Sequence, residues 1–221
     1  DETVSWVEQN LRAIRTALPE REVQARSVDP LLEGEKASEL LARHGLLKRP
    51  LVGIHPSAGR TVKEWDPLRW AGVGRRLQEA FGATIVVSGS ASDRVLVDAL
   101  LGHLPGAVDL SGRLELRETL VLISALDLFL SSDTGPMHMA CALGTPSVSV
   151  FGPTDPVRYF SGAPGAPHSV VRQDLWCSPC NLVRKPPAEC RVHPECLRLV
   201  SEDQVFEEAS RLLKRPRGAR T

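Results

Sequence analysis

Apolar and polar positions change period several times along the chain, and each change predicts an element. Val4, Val7, Leu11, Ile14 and Leu18 fall on one helical stripe, followed by Pro19 and a charged linker from Glu20 to Arg26. A second helix is expected over about Glu35 to His44, with Gly45 placed as its C-cap. From Leu51 the pattern becomes regular. Leu51-Val52-Gly53-Ile54 is a short apolar strand, and Asp66 caps a helix opened by Pro67 and running to about Phe81. Ala83 to Ser88 is a β-branched strand, and Ser92 and Asp93 introduce a helix to about Leu101. Val108-Asp109-Leu110 predicts a strand and Leu116 to Ala125 a helix. Leu128-Phe129-Leu130 is a strand that turns through Ser131 to Gly135 into a helix from Pro136 to about Leu143. Gly144-Thr145-Pro146 ends that helix, and Ser147 to Phe151 forms the last strand of the series.

Continuous apolar strands alternating with amphipathic helices predict an α/β domain, a mainly parallel sheet covered by helices on both faces. Ligands of such sheets bind beyond the carboxyl ends of the strands. The loops at 55–63, 88–93, 111–113 and 131–138 should therefore share one rim. After Pro156 the regularity stops. Residues 161–167 read as loop, 176–197 form a Cys-rich segment, and a helix from Glu202 to Leu213 precedes a basic tail. That tail reads as a disordered terminus. Residues 1–50 are expected to lead in from a missing N-terminal domain, and 51–221 to form the domain itself.

Composition narrows the function. The 221 residues are 42% hydrophobic and 24% charged, the balance of a globular protein. Equal numbers of basic and acidic residues, 27 each, argue against a nucleic-acid partner. No apolar run approaches the ~20 residues of a bilayer span, and no signal peptide is visible, so a cytoplasmic location is expected. The start, Asp1-Glu2-Thr3-Val4, lacks a methionine and reads as the interior of a longer protein.

The candidate chemistry sits on the predicted rim. The turn Ser131-Ser132-Asp133-Thr134-Gly135 before Pro136 offers a helix N-terminus, with free N–H groups and a positive dipole end, to an anionic or polyhydroxylated ligand. An ordinary capped turn is the alternative. Lys63 could be a phosphate-directed cation or a solvated lysine. Trp65 is expected to anchor its loop. Asp93 either caps the next helix or accepts from ribose hydroxyls. Asp133 would repel phosphate and could instead accept from sugar hydroxyls or fix the loop. His138, one turn into its helix, could meet a phosphate or sugar or sit in the core. Cys177, Cys180, Cys190 and Cys196 form C-x2-C, nine residues, C, five residues, C, with His193 inside the last spacing. Four clustered thiols suggest a tetrahedral zinc or iron site, with free or redox-active thiols as the alternative. Cys141 reads as a small core residue.

Three segments together resemble glycosyltransferase family 9, the lipopolysaccharide heptosyltransferases. They are His55-Pro56-Ser57-Ala58-Gly59 with Lys63-Glu64-Trp65-Asp66-Pro67; Ser111-Gly112 followed by Leu116; and Ser132-Asp133-Thr134-Gly135-Pro136-Met137-His138 with Gly144-Thr145-Pro146 and Phe151-Gly152-Pro153-Thr154-Asp155-Pro156. The cysteine segment also looks like one found in many members. The resemblance implies the C-terminal, donor-binding Rossmann-like half of a GT-B enzyme. Its reaction would be inverting transfer of a sugar, heptose from ADP-heptose, to a lipid-linked glycan acceptor such as the lipopolysaccharide core. Acceptor and general base would belong to the missing N-terminal domain. By this resemblance Lys63 would stabilise the leaving diphosphate, Ser57 and Arg60 would line the phosphate loop, and Asp93 would stand near the ribose. Asp133, Thr134, Gly135 and His138 would surround the diphosphate and sugar. The scheme needs no catalytic metal, and membrane contact would be at most peripheral, at the inner face of the bacterial inner membrane. Two alternatives stay open: another GT-B nucleotide-sugar enzyme such as an epimerase, and a non-catalytic nucleotide-sugar-binding module.

Overall fold

The computed structural model describes residues 37–159, 167–182, 187–190 and 194–215. The expected helix over 4–18, His193 and most of the basic tail lie outside them. In chain order the elements are α1 (Ala37–Arg43), β1 (Leu51–His55), a 3-10 turn (Thr61–Lys63), α2 (Pro67–Phe81), β2 (Thr84–Val87), a 3-10 turn (Ala91–Asp93), α3 (Arg94–Leu101) and β3 (Val108–Asp109). There follow α4 (Leu116–Ala125), β4 (Leu128–Ser132), α5 (Gly135–Ala142), β5 (Ser147–Val150), α6 (Pro156–Tyr159), β6 (His168–Val171), a 3-10 turn (Ala188–Cys190), α7 (Glu195–Arg198) and α8 (Glu202–Leu213).

Local chemistry sets the boundaries. Asp66 accepts from the Leu68 amide at 2.8 Å, Pro67 opens α2, and Gly82 closes it with φ of 63°. Gly45 ends α1 at φ 69°. Ser201 and Gln204 form a capping box for α8.

The strands form a six-stranded sheet in the order β3-β2-β1-β4-β5-β6, with every pairing parallel. Two-residue alternation divides the core between the faces. Val52, Ile54, Leu128, Leu130, Val148 and Val150 pack with Trp70 and Leu77 of α2 and Val205 and Leu212 of α8. Leu51, Val86 and Phe129 pack on the other face with Leu40 of α1, Val121 and Leu122 of α4 and Ala140 of α5. Burying each large side chain contributes roughly 1.5–3 kcal/mol, so continuous apolar strands commit the chain to helices on both faces.

From Pro156 onward, where the sequence pattern loses its regularity, the structure forms the short α6 and α7, the 3-10 turn Ala188–Cys190 and one further strand. β6 extends the sheet beyond the point where the apolar pattern stops. It is an edge strand whose inward polar positions are satisfied: His168 Nδ1 lies 2.9 Å from Ser147 Oγ, and Ser169 donates to Glu208 at 2.7 Å. Those hydrogen bonds replace the apolar contacts that would have announced a strand. Because the sheet is parallel, the loops after β1, β2, β3 and β4 leave one edge, as the alternation predicts.

Candidate functional site

Pairing of β1 with β4 sets His55 opposite Ser131, so the loops that follow leave the sheet side by side. Lys63 Nζ from one loop lies 3.1 Å from Asp133 Oδ2 on the other, with their side chains 17% and 7% exposed. The 3-10 turn holds Lys63 there: Val62 is buried beneath it, and the Lys63 amide donates to the Arg60 carbonyl at 2.9 Å. Arg60 itself is exposed at the start of that turn. Trp65 is buried in the core. Its indole N–H donates to the Val200 carbonyl at 3.3 Å, and its ring stands edge-on to Trp70 with centroids 4.6 Å apart. It anchors the loop, as expected. Glu64 Oε1 accepts from the Ala58 amide at 3.3 Å and ties the two ends of the loop together.

α5 begins directly behind the ion pair. Thr134, in its N-cap position, is extended and its side chain makes no capping hydrogen bond. Gly135 is exposed and Pro136 occupies the first turn. The positive end of the helix dipole therefore opens toward Lys63 and Asp133. His138 is half-buried within the field of both. Burial pushes its pKa down, the Asp133 carboxylate pulls it up, and Lys63 lowers it further, with a net lowering.

A second cluster occupies the ends of β1 and β2. His55 Nδ1 lies 3.2 Å from Ser88 Oγ, and His55 Nε2 lies 3.1 Å from Ser57 Oγ. The Ser57 hydroxyl, on the neighbouring loop, helps to favour the ionised form of Asp93. Asp93 Oδ2 accepts from the Ser90 amide at 2.6 Å and from Ser90 Oγ at 2.7 Å, so Asp93 stabilises its own turn as well as facing the rim. Burial opposes its ionisation, but the bonds from Ser90, the Ser57 hydroxyl and the field of His55 outweigh it, and its pKa is lowered. Beyond it, Arg94 donates to Asp109 at 2.7 Å and to Ser111 at 2.8 Å, joining the loops after β2 and β3.

The structure thus gathers Ser57, Lys63, Asp93, Asp133, Thr134, Gly135 and His138 along one edge. The sequence names His55 only as part of a motif, with no role of its own, and does not single out Ser88, Arg94 or Asp109. Their roles depend on cross-strand register, which places Ser88 next to His55 only once β1 and β2 are paired.

The model of glycosyltransferase family 9 (heptosyltransferase) matches residues 5–189. The chain belongs to glycosyltransferase family 9. It is 25% identical to lipooligosaccharide heptosyltransferase 2 of Campylobacter jejuni over 181 residues, covering 79% of this chain and 54% of that protein. It is 30% identical to lipopolysaccharide heptosyltransferase 2 of Escherichia coli K12 over 130 residues, 56% of this chain and 37% of that one. In fold it is similar to the E. coli ADP-heptose lipopolysaccharide heptosyltransferase II, with a TM-score of 0.67 and 24% identity, over 87% of this chain and 53% of the other. The chain therefore spans about half the length of these relatives.

In this family 9 chain the cysteine segment grips the loop after β5. Ser178 Oγ donates to the Gly152 carbonyl at 2.8 Å, the Asn181 amide to the Pro153 carbonyl at 2.8 Å, and the Asp155 amide to Asn181 Oδ1 at 3.1 Å. At its far end Arg69 donates to the carbonyls of Arg198 and Val200 at 2.7 and 2.5 Å. Cys177, Cys180, Cys190 and Cys196 are free thiols. Burial pushes Cys196 up to about 11, and the charges of Cys180, Cys190 and Cys177 add to it, so the four sulfurs share a neighbourhood. Among the described residues no three His, Cys, Asp or Glu side chains converge as a metal-binding group. A separate groove of about 240 Å³, lined by Glu64, Trp65, Asp66, Arg69, Pro194, Leu197 and Arg198, contains neither Lys63 nor Asp133. No helix among the described residues is long and apolar enough to cross a membrane.

Proposed function

We propose that this chain is the donor-binding half of a heptosyl-transferring glycosyltransferase, with residues 1–50 leading in from an acceptor-binding half. The donor is a nucleoside diphosphate sugar, ADP-heptose by analogy with the relatives, and the acceptor a lipopolysaccharide core or similar lipid-linked glycan. In the reaction an acceptor hydroxyl attacks the anomeric carbon in line. The bond from that carbon to the diphosphate oxygen breaks with inversion, ADP leaves, and a general base outside these residues takes the hydroxyl proton. Proximity of the two substrates is a large part of such catalysis, so this half alone should bind donor and transfer nothing.

The observation that carries the reading is the Lys63–Asp133 pair at the N-terminus of α5. A diphosphate needs countercharge as it leaves, and Lys63 and the helix dipole supply it from opposite sides. Asp133 holds Lys63 in place before the donor arrives and offers an acceptor to sugar hydroxyls afterwards. The test is a binding screen of ADP-, GDP- and UDP-sugars. Preference for the ADP-sugar supports the heptosyltransferase reading; preference for a UDP-sugar would transfer the chain to the epimerase reading, and binding of none would leave it a purely structural module.

The cysteine segment is proposed as a structural zinc or iron site. Its four thiols have the donor chemistry of a tetrahedral thiolate centre, and a metal would draw them together and fold a segment poor in core of its own. Elemental analysis of protein purified under reducing conditions should find about one metal per chain. Finding none, with all thiols titratable, refutes it.

A further inference from the structure

The loop after β5, Gly152-Pro153-Thr154-Asp155-Pro156, has few means of holding its own shape. Pro153 and Pro156 bring no N–H donor. The Thr154 hydroxyl is buried and finds no hydrogen-bond partner among the described residues. Polar backbone groups of the loop are met instead by the segment after β6. Ser178 donates to the Gly152 carbonyl at 2.8 Å. Asn181 makes two bonds: its backbone N–H donates to the Pro153 carbonyl at 2.8 Å, and its Oδ1 accepts from the Asp155 amide at 3.1 Å. One residue thus holds the chain on both sides of Thr154. It does so from a left-handed backbone, φ 57°, and among the described residues no other non-glycine has a positive φ. Most side chains are strained there; asparagine and aspartate are the usual exceptions. A residue kept in that conformation with its amide and its side chain both engaged is a candidate for a positioning role.

The register gives the loop its place. Ser132 pairs with Val150, so the loop after β5 leaves the sheet beside the turn that carries Asp133 and opens α5. Lys63 reaches that turn from the other side, from the loop after β1. In a nucleoside diphosphate sugar the diphosphate stands between nucleoside and sugar. With the diphosphate on Lys63 and α5, the two ends of the donor leave in opposite directions along the rim. The nucleoside, expected beside Asp93, takes the side of β1 and β2, and the sugar is left the side of β5. We infer that Asn181 is a positioning residue: by pinning Pro153 and Asp155 it fixes the loop after β5 as a wall against which the donor sugar rests. The inference rests on the diphosphate placement proposed above.

The test is titration calorimetry of the 221-residue chain with ADP and with ADP-heptose, paired with amide hydrogen exchange. Asn181→Gly keeps the backbone N–H and suits the left-handed conformation, but removes the acceptor for Asp155. Asn181→Asp keeps both the acceptor and the tolerance of that conformation. The Asp155 amide should exchange faster in Asn181→Gly and return toward wild type in Asn181→Asp. ADP-heptose should bind Asn181→Gly roughly three- to tenfold more weakly, while ADP changes by less than about twofold. Asn181→Asp should recover ADP-heptose affinity to within about twofold of wild type. If Asn181→Gly does not fold, Ser178→Ala, which frees the Gly152 carbonyl, gives the same comparison. Equal weakening of both ligands would make Asn181 a support of the fold alone and overturn the inference. An Asp155 amide that exchanges no faster in Asn181→Gly overturns it, and so does unchanged ADP-heptose binding once that amide is freed. Wild type that binds ADP and gains nothing from the sugar overturns it while leaving the diphosphate placement standing. Wild type that binds neither ligand overturns that placement and this inference with it.

Discussion

Replacing Lys63 by alanine should separate the electrostatic role of the rim from its role in the fold. The lysine is 17% exposed and its partner Asp133 7%, so the variant strands a nearly buried carboxylate. An exposed pair is worth about 0–1 kcal/mol, and breaking a fully buried one costs roughly 3–5 kcal/mol. An intermediate loss of about 2 kcal/mol follows, which lowers Tm by roughly 4–8 °C for a chain of this size. Binding should suffer separately. ADP loses a charge-assisted contact, roughly ten- to a hundredfold in affinity, and also meets the unneutralised Asp133. Adenosine, lacking phosphates, should lose less than about threefold. Asp133→Asn should bind ADP at least as well as wild type, because Lys63 no longer shares its charge with a carboxylate. The double variant should regain most of the lost stability and part of the lost ADP affinity. Calorimetry with both ligands and thermal melts on all four proteins decide it. Equal losses for ADP and adenosine in Lys63→Ala would refute the reasoning and leave Lys63 a purely structural cation.

Two further outcomes follow from the packing. Stability should fall as pH drops from 6.5 toward 4: the folded pKa of His55 is about 4 against 6.5 unfolded, so between those values the unfolded chain binds more protons and is favoured as pH falls. The full effect is about 3 kcal/mol. His138 and His168, also lowered by burial, act in the same direction, and Glu64, whose pKa burial raises, offsets part of it. Urea melts at several pH values read it, and a flat profile over that window with wild type, or the same slope in His55→Gln, would contradict it. Gly152→Ala should destabilise by about 1–3 kcal/mol through overpacking, since its new methyl would meet Leu197 Cγ at 2.6 Å, and Cys196 should then react faster with a thiol reagent. An unchanged melt would show that the cysteine segment does not seat on this loop.

Much of this architecture is legible in the residues because apolar burial is written directly into period. Leu51 to Ile54 and Leu128 to Leu130 are continuous apolar runs, and Asp66-Pro67 and Gly82 mark the ends of α2 by local chemistry alone. β6 was not legible, because His168 and Ser169 are satisfied by Ser147 and Glu208, partners distant in sequence. The site divides in the same way. Lys63 and Asp133 could be named from their loops, but that they meet at 3.1 Å follows from β1 lying beside β4. His55 looks like any strand-end histidine until the register brings Ser88 beside it and the loop returns Ser57 to its other nitrogen.

The central claim is that the donor diphosphate lies between Lys63 and the N-terminus of α5, and a crystal structure of this chain soaked with ADP-heptose tests it most directly. The account predicts phosphate oxygens within hydrogen-bond distance of Lys63 Nζ and of the first-turn amides of α5, with the ribose over Asp93. A nucleotide seated instead in the groove of Arg69, Leu197 and Arg198, with the Lys63–Asp133 pair untouched, would contradict it.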